Sequence, residues 1–288
     1  MQHYPQPALY LVATPIGNLA DISLRALHVL QLADSIACED TRHSQALLRA
    51  YGIDKPGSTL LALHQHNELE AAQEVLTRMG AGQRVAYVSD AGTPAISDPG
   101  ARLVAAVRDA GFAVVAIPGA SSVTAALSVA GCVGLDDGDG FVFAGFLPGK
   151  VGERAARVSE LALESRAVVL LEAPHRINEL AQALAVLAER RLTVARELTK
   201  QFEAVTTMPA SAFAPWLAAD ANHSRGEFVV VLHPAQAPAR DGVDTRVLSL
   251  LLPELPLKSA VRLAAEISGQ PRNSLYAAAL ALKAQGTK

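Results

Sequence analysis

Four polar clusters in this 288-residue chain carry side chains able to move protons or hold anions. They are Glu39-Asp-Thr-Arg-His43, His64-Gln-His-Asn-Glu68, Glu172-Ala-Pro-His-Arg176 and Arg196-Glu-Leu-Thr-Lys-Gln-Phe-Glu203. Carboxylates beside Lys and Arg suit acid–base chemistry or the support of a developing oxyanion. Solvated loop ends and salt bridges are the plain alternative. His64 and His66 would share one face of a strand, yet no third ligand completes a set, so no metal is expected. Three further stretches are rich in Gly and Pro: Thr14-Pro-Ile-Gly-Asn18, Asp90-Ala-Gly-Thr-Pro-Ala-Ile-Ser-Asp-Pro-Gly100 and Pro118-Gly-Ala-Ser-Ser122. Glycine allows close backbone approach and proline fixes a loop, which together suit a binding site.

These segments need a scaffold, and the apolar pattern supplies one. Runs at Leu9–Ala13, Ser35–Cys38, Leu60–Leu63, Val85–Val88 and Ala113–Ile117 read as strands buried on both faces. Amphipathic stretches at Ile22–Ala33, Asn67–Met79, Ala101–Ala110 and Ser122–Ala130 read as helices, with Asn67 and Glu70 as an N-terminal capping pair. Alternation of strand and helix predicts a doubly wound α/β domain over residues 8–135. An acidic Gly-rich stretch, Gly134–Gly140, is read as a linker. A second α/β domain over 141–233 follows, with strands at Phe141–Phe146, Ala167–Leu171, Leu192–Ala195, Val205–Met208 and Phe228–Leu232. Helices at Glu153–Glu164 and Arg176–Glu189 separate the first three, and the close later strands predict a mixed sheet. After a Pro- and Ala-rich linker, His233–Ala239, residues 241–288 read as a helical domain. Helix Lys258–Ser268, a break at Gly269–Pro271 and Asn273 capping Ser274–Lys283 suggest a helix-turn-helix. In an open α/β sheet, ligands bind where strands end, and the clusters and rigid loops all fall there.

Composition bounds the possibilities. Half the residues are apolar and 18% are charged, enough for ample cores. Cys38 and Cys132 lack any CxxC spacing, so neither a disulfide framework nor a zinc site is indicated. No signal peptide or apolar run of about 18 residues is seen, giving the expectation of a cytoplasmic protein without membrane contact. Net charge is −3, but residues 240–288 hold seven Lys and Arg against four Asp and Glu, a local +3 compatible with RNA. Gly80-Ala-Gly82 precedes a strand, Gly145-Phe-Leu-Pro-Gly-Lys150 lacks P-loop spacing, and Ser121 and Ser122 lack a GxSxG frame. Ordinary dehydrogenases, kinases and esterases are therefore disfavoured.

Read together, several segments resemble the ribosomal RNA small subunit methyltransferase I family of the tetrapyrrole-methylase superfamily. They are Leu9–Asp21, Glu39–Arg42, Val88–Pro94 through Asp98–Gly100, Gly145–Pro148, His175-Arg176, Arg196–Lys200 with Glu203, and Gly226-Glu227. The similarity runs from about Leu9 to Ala284. It implies two α/β domains with S-adenosylmethionine in the cleft between them, a homodimer, and 2′-O-methylation of a cytidine in the decoding region of small-subunit RNA or the 30S particle. It also implies cofactor contacts from Gly92, Thr93, Pro94, Ile96, Asp98, Ser121, Ser122, Leu171 and Gly226. Leu171 stands where members often carry an aromatic residue, and Ala120 where they often have proline.

Methyl transfer to a ribose hydroxyl needs an in-line approach and either a base or a cation near the oxygen. The candidates are Lys200, Glu197, Glu203, Glu39, Asp40 and Arg42. Lys200 leads, as a base if burial lowers its pKa and otherwise as electrostatic support. Arg42, Arg176, Arg196 and the C-terminal helices could grip RNA. Two rivals remain: a methylase of a tetrapyrrole precursor or of a translation factor on the same fold, and a non-catalytic RNA- or nucleotide-binding module.

Overall fold

The computed structural model describes residues 3–64, 67–132, 140–235 and 245–285. The chain divides into two compact units, residues 1–235 and 236–288. Both sheets lie in the first.

The first sheet holds β1 (Ala8–Val12), β2 (Ser35–Cys38), β3 (Leu60–Ala62), β4 (Arg84–Val88) and β5 (Ala113–Ile117). Its order is β3-β2-β4-β1-β5 and every pairing is parallel. Helices α1 (Leu24–Leu32), α2 (Thr41–Ala50), α3 (Glu68–Gly80) and α4 (Ala101–Asp109) cover it. Alternate residues of β1 explain the layering, since strand side chains point to opposite faces. Ala8, Tyr10 and Val12 pack with Val29, Leu30 and Leu48 from α1 and α2. Leu9 packs on the other face with Val75, Met79, Leu103 and Val107 from α3 and α4.

The second sheet holds β6 (Phe141–Phe146), β7 (Ala167–Glu172), β8 (Arg191–Arg196), β9 (Ala204–Pro209) and β10 (Phe228–Leu232). Its order is β6-β7-β10-β8-β9, with β6 and β7 parallel and the other pairs antiparallel. It is mixed, as its close-set strands predict. Helices α6 (Val151–Ala162), α7 (Ile177–Leu184) and α8 (Phe213–Ala219) bury one face through Val158, Leu180 and Phe213. The opposite face receives α5 (Ser122–Ala130), whose Val123, Ala126 and Ala130 meet Ala167, Val169, Ala195 and Val229. Small residues on α5 let it lie close to the strands, so the helix leaving the first sheet roofs the second. Strands β6, β7 and β8 run the same way and end at Phe146, Glu172 and Arg196 on one edge, where β9 and β10 begin.

The second unit is three helices, α9 (Arg246–Leu251), α10 (Leu257–Ser268) and α11 (Arg272–Gln285). Its core is its own: Leu248, Ala260, Val261, Ala264, Leu275 and Ala279. Gly269 ends α10 in the left-handed conformation (φ +69°), donating its N–H to the Ala265 carbonyl, as a C-terminal glycine should.

Several local expectations need correction. Residues 41–43 of the Glu39–His43 cluster begin a helix, α2, that the apolar pattern does not predict; Asp40 caps it and Ser44 and Leu48 face inward. Asn67 stands at the N-cap of α3, but its side chain makes no capping bond. Its amide instead accepts from His64 N–H (2.8 Å) and donates to the Ala62 carbonyl (2.9 Å), bracing the preceding turn. Asn273 lies inside α11, which starts a residue earlier. Helices α8 and α9 were not anticipated. Residues 134–139 and 236–239 of the two linkers, and His66 of the histidine pair, lie outside the described residues.

Candidate functional site

Three loops at the carboxyl ends of β1, β4 and β5 are tied into one rim. Thr14 and Gly92 exchange two backbone hydrogen bonds, Thr14 N–H to Gly92 O at 2.9 Å and Gly92 N–H to Thr14 O at 3.1 Å. Gly92 sits at φ +83°, a conformation glycine adopts freely. Thr93 Oγ1 donates to the Ala120 carbonyl at 3.1 Å, joining the second and third loops.

Two adjoining cavities open between this rim and the β6–β7–β8 edge. The larger, about 350 Å³, has walls from Ile16, Ala91, Leu171, Ala195, Leu198 and Val229, with Glu172 and Glu227 at its margin. The smaller, about 140 Å³, is lined by Gly92, Thr93, Ile96, Asp98, Ser121 and Ser122. Ala91, Ser122, Phe146 and Leu171 border both, so they form one elongated cleft. Of the nine residues expected to hold a cofactor, eight line one of these two cavities or a neighbour. Gly92, Thr93, Ile96, Asp98, Ser121, Ser122 and Leu171 line the smaller one. Gly226 borders instead a third cavity of about 610 Å³. Pro94 is buried and lines none of the three.

The acidic candidates separate into two groups. Glu39 and Asp98 gather near Asp90 at the ends of β2 and β4. Burial raises the Glu39 carboxyl, and the charges of Asp90 and Asp98 raise it further. Burial likewise raises Asp98, with Asp90 adding to the effect and a Ser89 hydrogen bond opposing it. Asp40 is differently engaged: its carboxylate accepts from the Arg42 and His43 N–H groups at the start of α2 and pairs with the Arg42 side chain at 3.3 Å. Those bonds hold its carboxyl below the usual range. Asp40 is thus a helix cap, and Arg42, 92% exposed, is its partner in solvent.

Lys200 anchors the second group. Its Nζ donates to Glu197 Oε1 (2.8 Å) and Glu227 Oε2 (3.1 Å). Burial would lower the lysine pKa, but the two carboxylates outweigh it and raise the value. The two carboxylates thus favour the ammonium over the neutral amine that a base would need. Burial would raise Glu197, yet Lys200 and the Glu227 N–H more than offset this and lower it, a poor setting for a base. Glu203 accepts from the Thr199 N–H and so holds the turn. That turn is strained: Glu197 (φ +53°) and Thr199 (φ +67°) occupy left-handed backbone, at roughly 1–3 kcal/mol each. Gly17 and Gly226 make the turn fit. A β-carbon at Gly17 would strike Lys200 Cγ, and one at Gly226 would lie 2.5 Å from Glu197.

Ile16, Phe146, Glu172 and Glu227 also line the cleft; all four fall within stretches the sequence singles out, but none is named there as an individual site residue. Glu227 stands in the quoted Gly226-Glu227 pair, where only the glycine is given a role. Phe146 and Ile16 are exposed or half-buried apolar side chains whose role only the meeting of two sheets reveals. Arg176 is engaged with the Leu147 carbonyl and with buried Glu172 at 3.4 Å, so it braces the β6 and β7 ends rather than standing free for phosphate.

The comparisons agree with this architecture. A profile for Tetrapyrrole (Corrin/Porphyrin) Methylases matches residues 8–214, and one for the RsmI C-terminal HTH domain matches 238–283. The chain is 47% identical to the ribosomal RNA small subunit methyltransferase I of Pseudomonas aeruginosa over 94% of its own length and 96% of that protein's. For the proteins of that name in Neisseria meningitidis serogroup A and Escherichia coli O157:H7, the values are 48% over 96% and 94%, and 45% over 96% and 95%. Among solved structures, cobalt precorrin-4 methyltransferase superposes with a TM-score of 0.59 at 19% identity, covering 80% of this chain and 96% of that one. The uroporphyrin-III C-methyltransferase of Thermus thermophilus, complexed with S-adenosyl homocysteine, gives 0.54 at 16% identity over 78% and 97%. The fold is thus that of the tetrapyrrole methylases, and near-full-length identity of 45–48% places this chain in the ribosomal RNA small subunit methyltransferase I family.

Proposed function

We propose that this protein transfers a methyl group from S-adenosylmethionine to the ribose 2′-hydroxyl of a cytidine in small-subunit ribosomal RNA. The observation that carries the chemistry is the Lys200 ammonium, held between two glutamates beside the cleft. The relatives' printed name supplies the substrate class.

The cleft residues fit the cofactor. Two joined cavities suit a nucleoside linked to an amino acid, and Ile16, Leu171, Leu198 and Val229 offer apolar walls for its ring and thioether. No side chain caps the first N–H groups of α5, so Ser121 and Ser122 present a helix N-terminus suited to a carboxylate. Asp98, on the same wall, suits an ammonium. When bound, S-adenosylmethionine supplies an electrophilic methyl group.

The chain's own groups do the rest. Two of the three Lys200 donors are engaged by Glu197 and Glu227, which fixes the direction of the third. That N–H is free to bond the ribose oxygen as it loses its proton, and it favours the oxyanion in the transition state. Glu227, bound to Lys200 through Oε2, receives the hydroxyl proton on Oε1 and passes it to solvent. A new carbon–oxygen bond forms as the carbon–sulfur bond breaks, and no metal enters this scheme. Family resemblance extends the reading to a homodimer in the cytoplasm, which light scattering on the purified protein tests for assembly. Among the described residues no helix is long and apolar enough to cross a membrane.

The deciding experiment offers the protein labelled S-adenosylmethionine with small ribosomal subunits lacking the modification, or with uroporphyrinogen. Label should enter RNA at one alkali-resistant dinucleotide, the mark of a 2′-O-methyl. Label in the tetrapyrrole alone would overturn the proposal.

A further inference from the structure

The third cavity has no part in the scheme above. It lies between two banks, the turn Glu197–Glu203 and the segment Asp220–Gly226, and measures about 610 Å³. Arg196 forms its floor. One guanidinium nitrogen donates to the Arg225 carbonyl and another to the Phe202 carbonyl, both at 3.3 Å, so one side chain fixes both banks. Each bank is also braced from within. Glu203 holds Thr199 N–H on one side. On the other, Asp220 accepts the Asn222 N–H at 2.8 Å, and the His223 ring stacks on Trp216 (centroids 4.0 Å apart, planes 9° apart).

What these braced banks present is unusual. Phe202 is 68% exposed at the lip of a concavity. The Arg225 guanidinium has no hydrogen-bond or ion-pair partner among the described residues, and neither does the Asn222 side-chain amide. The carboxylates nearby are occupied, Asp220 by a backbone N–H and Glu197 by Lys200. An exposed aromatic face, a free guanidinium plane and an amide able to donate and accept are what stack and read an unpaired nucleobase. The cavity also adjoins the reacting groups. Glu197 lines it and binds Lys200, and Gly226 lines it next to Glu227, which borders the 350 Å³ cavity.

We propose that this cavity is a nucleobase subsite, taking an unpaired base from the RNA segment that carries the target ribose. Phe202 stacks on the base, while Arg225 and Asn222 bond its edge or the adjoining phosphate. The inference rests on the function proposed above. It adds that the substrate strand must be single-stranded at this point, with at least one base drawn away from its neighbours.

The test uses the full chain, small subunits lacking the modification, and a single-stranded oligoribonucleotide carrying one 2-aminopurine placed in turn along the target segment. With wild-type protein, fluorescence should be quenched on binding at one or two positions, as stacking requires. Phe202→Ala should abolish that quench and raise the KM for small subunits about tenfold. Phe202→Tyr, which keeps the ring, should stay within about twofold of wild type on both readouts. Arg225→Ala should weaken oligonucleotide binding several-fold and flatten its salt dependence. Calorimetry should show ordinary cofactor affinity in all three variants. Quenching that survives Phe202→Ala, an unchanged KM in both alanine variants, or lost cofactor affinity would each overturn the subsite. The two ideas fail separately. Wild-type protein that methylates no RNA defeats the proposed function, whereas normal RNA methylation by Phe202→Ala defeats only the subsite.

Discussion

Lys200 shows how much a residue's role depends on what surrounds it. Its place among Arg196–Glu203 was legible from the motif, but whether it acts as base or cation was not. Glu227, 27 residues away in sequence, favours the cation by adding a second carboxylate. Lys200→Ala should lower the single-turnover rate on saturating RNA by more than about tenfold, or roughly 1.4 kcal/mol, with little change in cofactor affinity. Lys200→Arg should recover part of the loss, since charge is kept but geometry is not. The pairing also predicts a pH dependence. A raised lysine pKa stabilises the fold below the ordinary lysine range and is lost above the folded value. A lowered Glu197 pKa stabilises it above the ordinary glutamate range and is lost as pH falls through the folded value. The stability cost of Lys200→Met, read by urea unfolding, should therefore be flat across neutral pH and shrink below about pH 4. Gly226 offers a sharper probe. Gly226→Ala forces a β-carbon onto Glu197 at φ +93°, so turnover should fall with the pair displaced. Unchanged rates in that variant would mean the pair can shift freely without consequence.

At the scale of elements, most of the strands and their order of appearance could be read from apolar runs, because parallel strands buried on both faces leave so plain a mark. Features depending on contact between distant elements could not. Asn67 and Glu70 carry the spacing of a capping box, yet the acid that caps a helix here is Glu68, and it caps a different one. Its Oε1 accepts from Gly100 N–H and Arg102 N–H, both at 3.0 Å, at the start of α4. Helix α2 was hidden because its first turn, Thr41-Arg-His43, reads equally well as a polar loop. The carboxylates at the ends of β2 and β4 belong to this scale too, for only the parallel pairing of those strands brings Glu39 near Asp90 and Asp98. A raised carboxyl pKa penalises the folded state at neutral pH, and the penalty disappears as pH falls below the ordinary value. Glu39→Gln should then raise the melting temperature at pH 7 by a degree or more, with the gain fading towards about pH 4. A lower melting temperature at pH 7 would show that the Asp90 N–H bond to Glu39 outweighs the repulsion.

For the whole molecule, the helical unit with its own core is the feature that sequence composition foretold best, through a change from α/β to purely helical character. Leu251 and Leu252 pack against the core of that unit. A chain ending at Ala235 should fold, keep cofactor affinity, and methylate small subunits poorly. It should also lose part of the salt dependence of RNA binding, because the deleted segment holds a net +3. Calorimetry and binding at two salt concentrations check both halves. Aggregation of the shortened chain would assign the helices a structural role. The paired loops at Thr14 and Gly92 carry a further consequence for dynamics. Those two amides are each other's partners, so neither can exchange its hydrogen with solvent unless both loops part. Their exchange rates should move together, and a ligand seated in the cleft should slow both by the same factor, making two amides a clock for the opening of the rim.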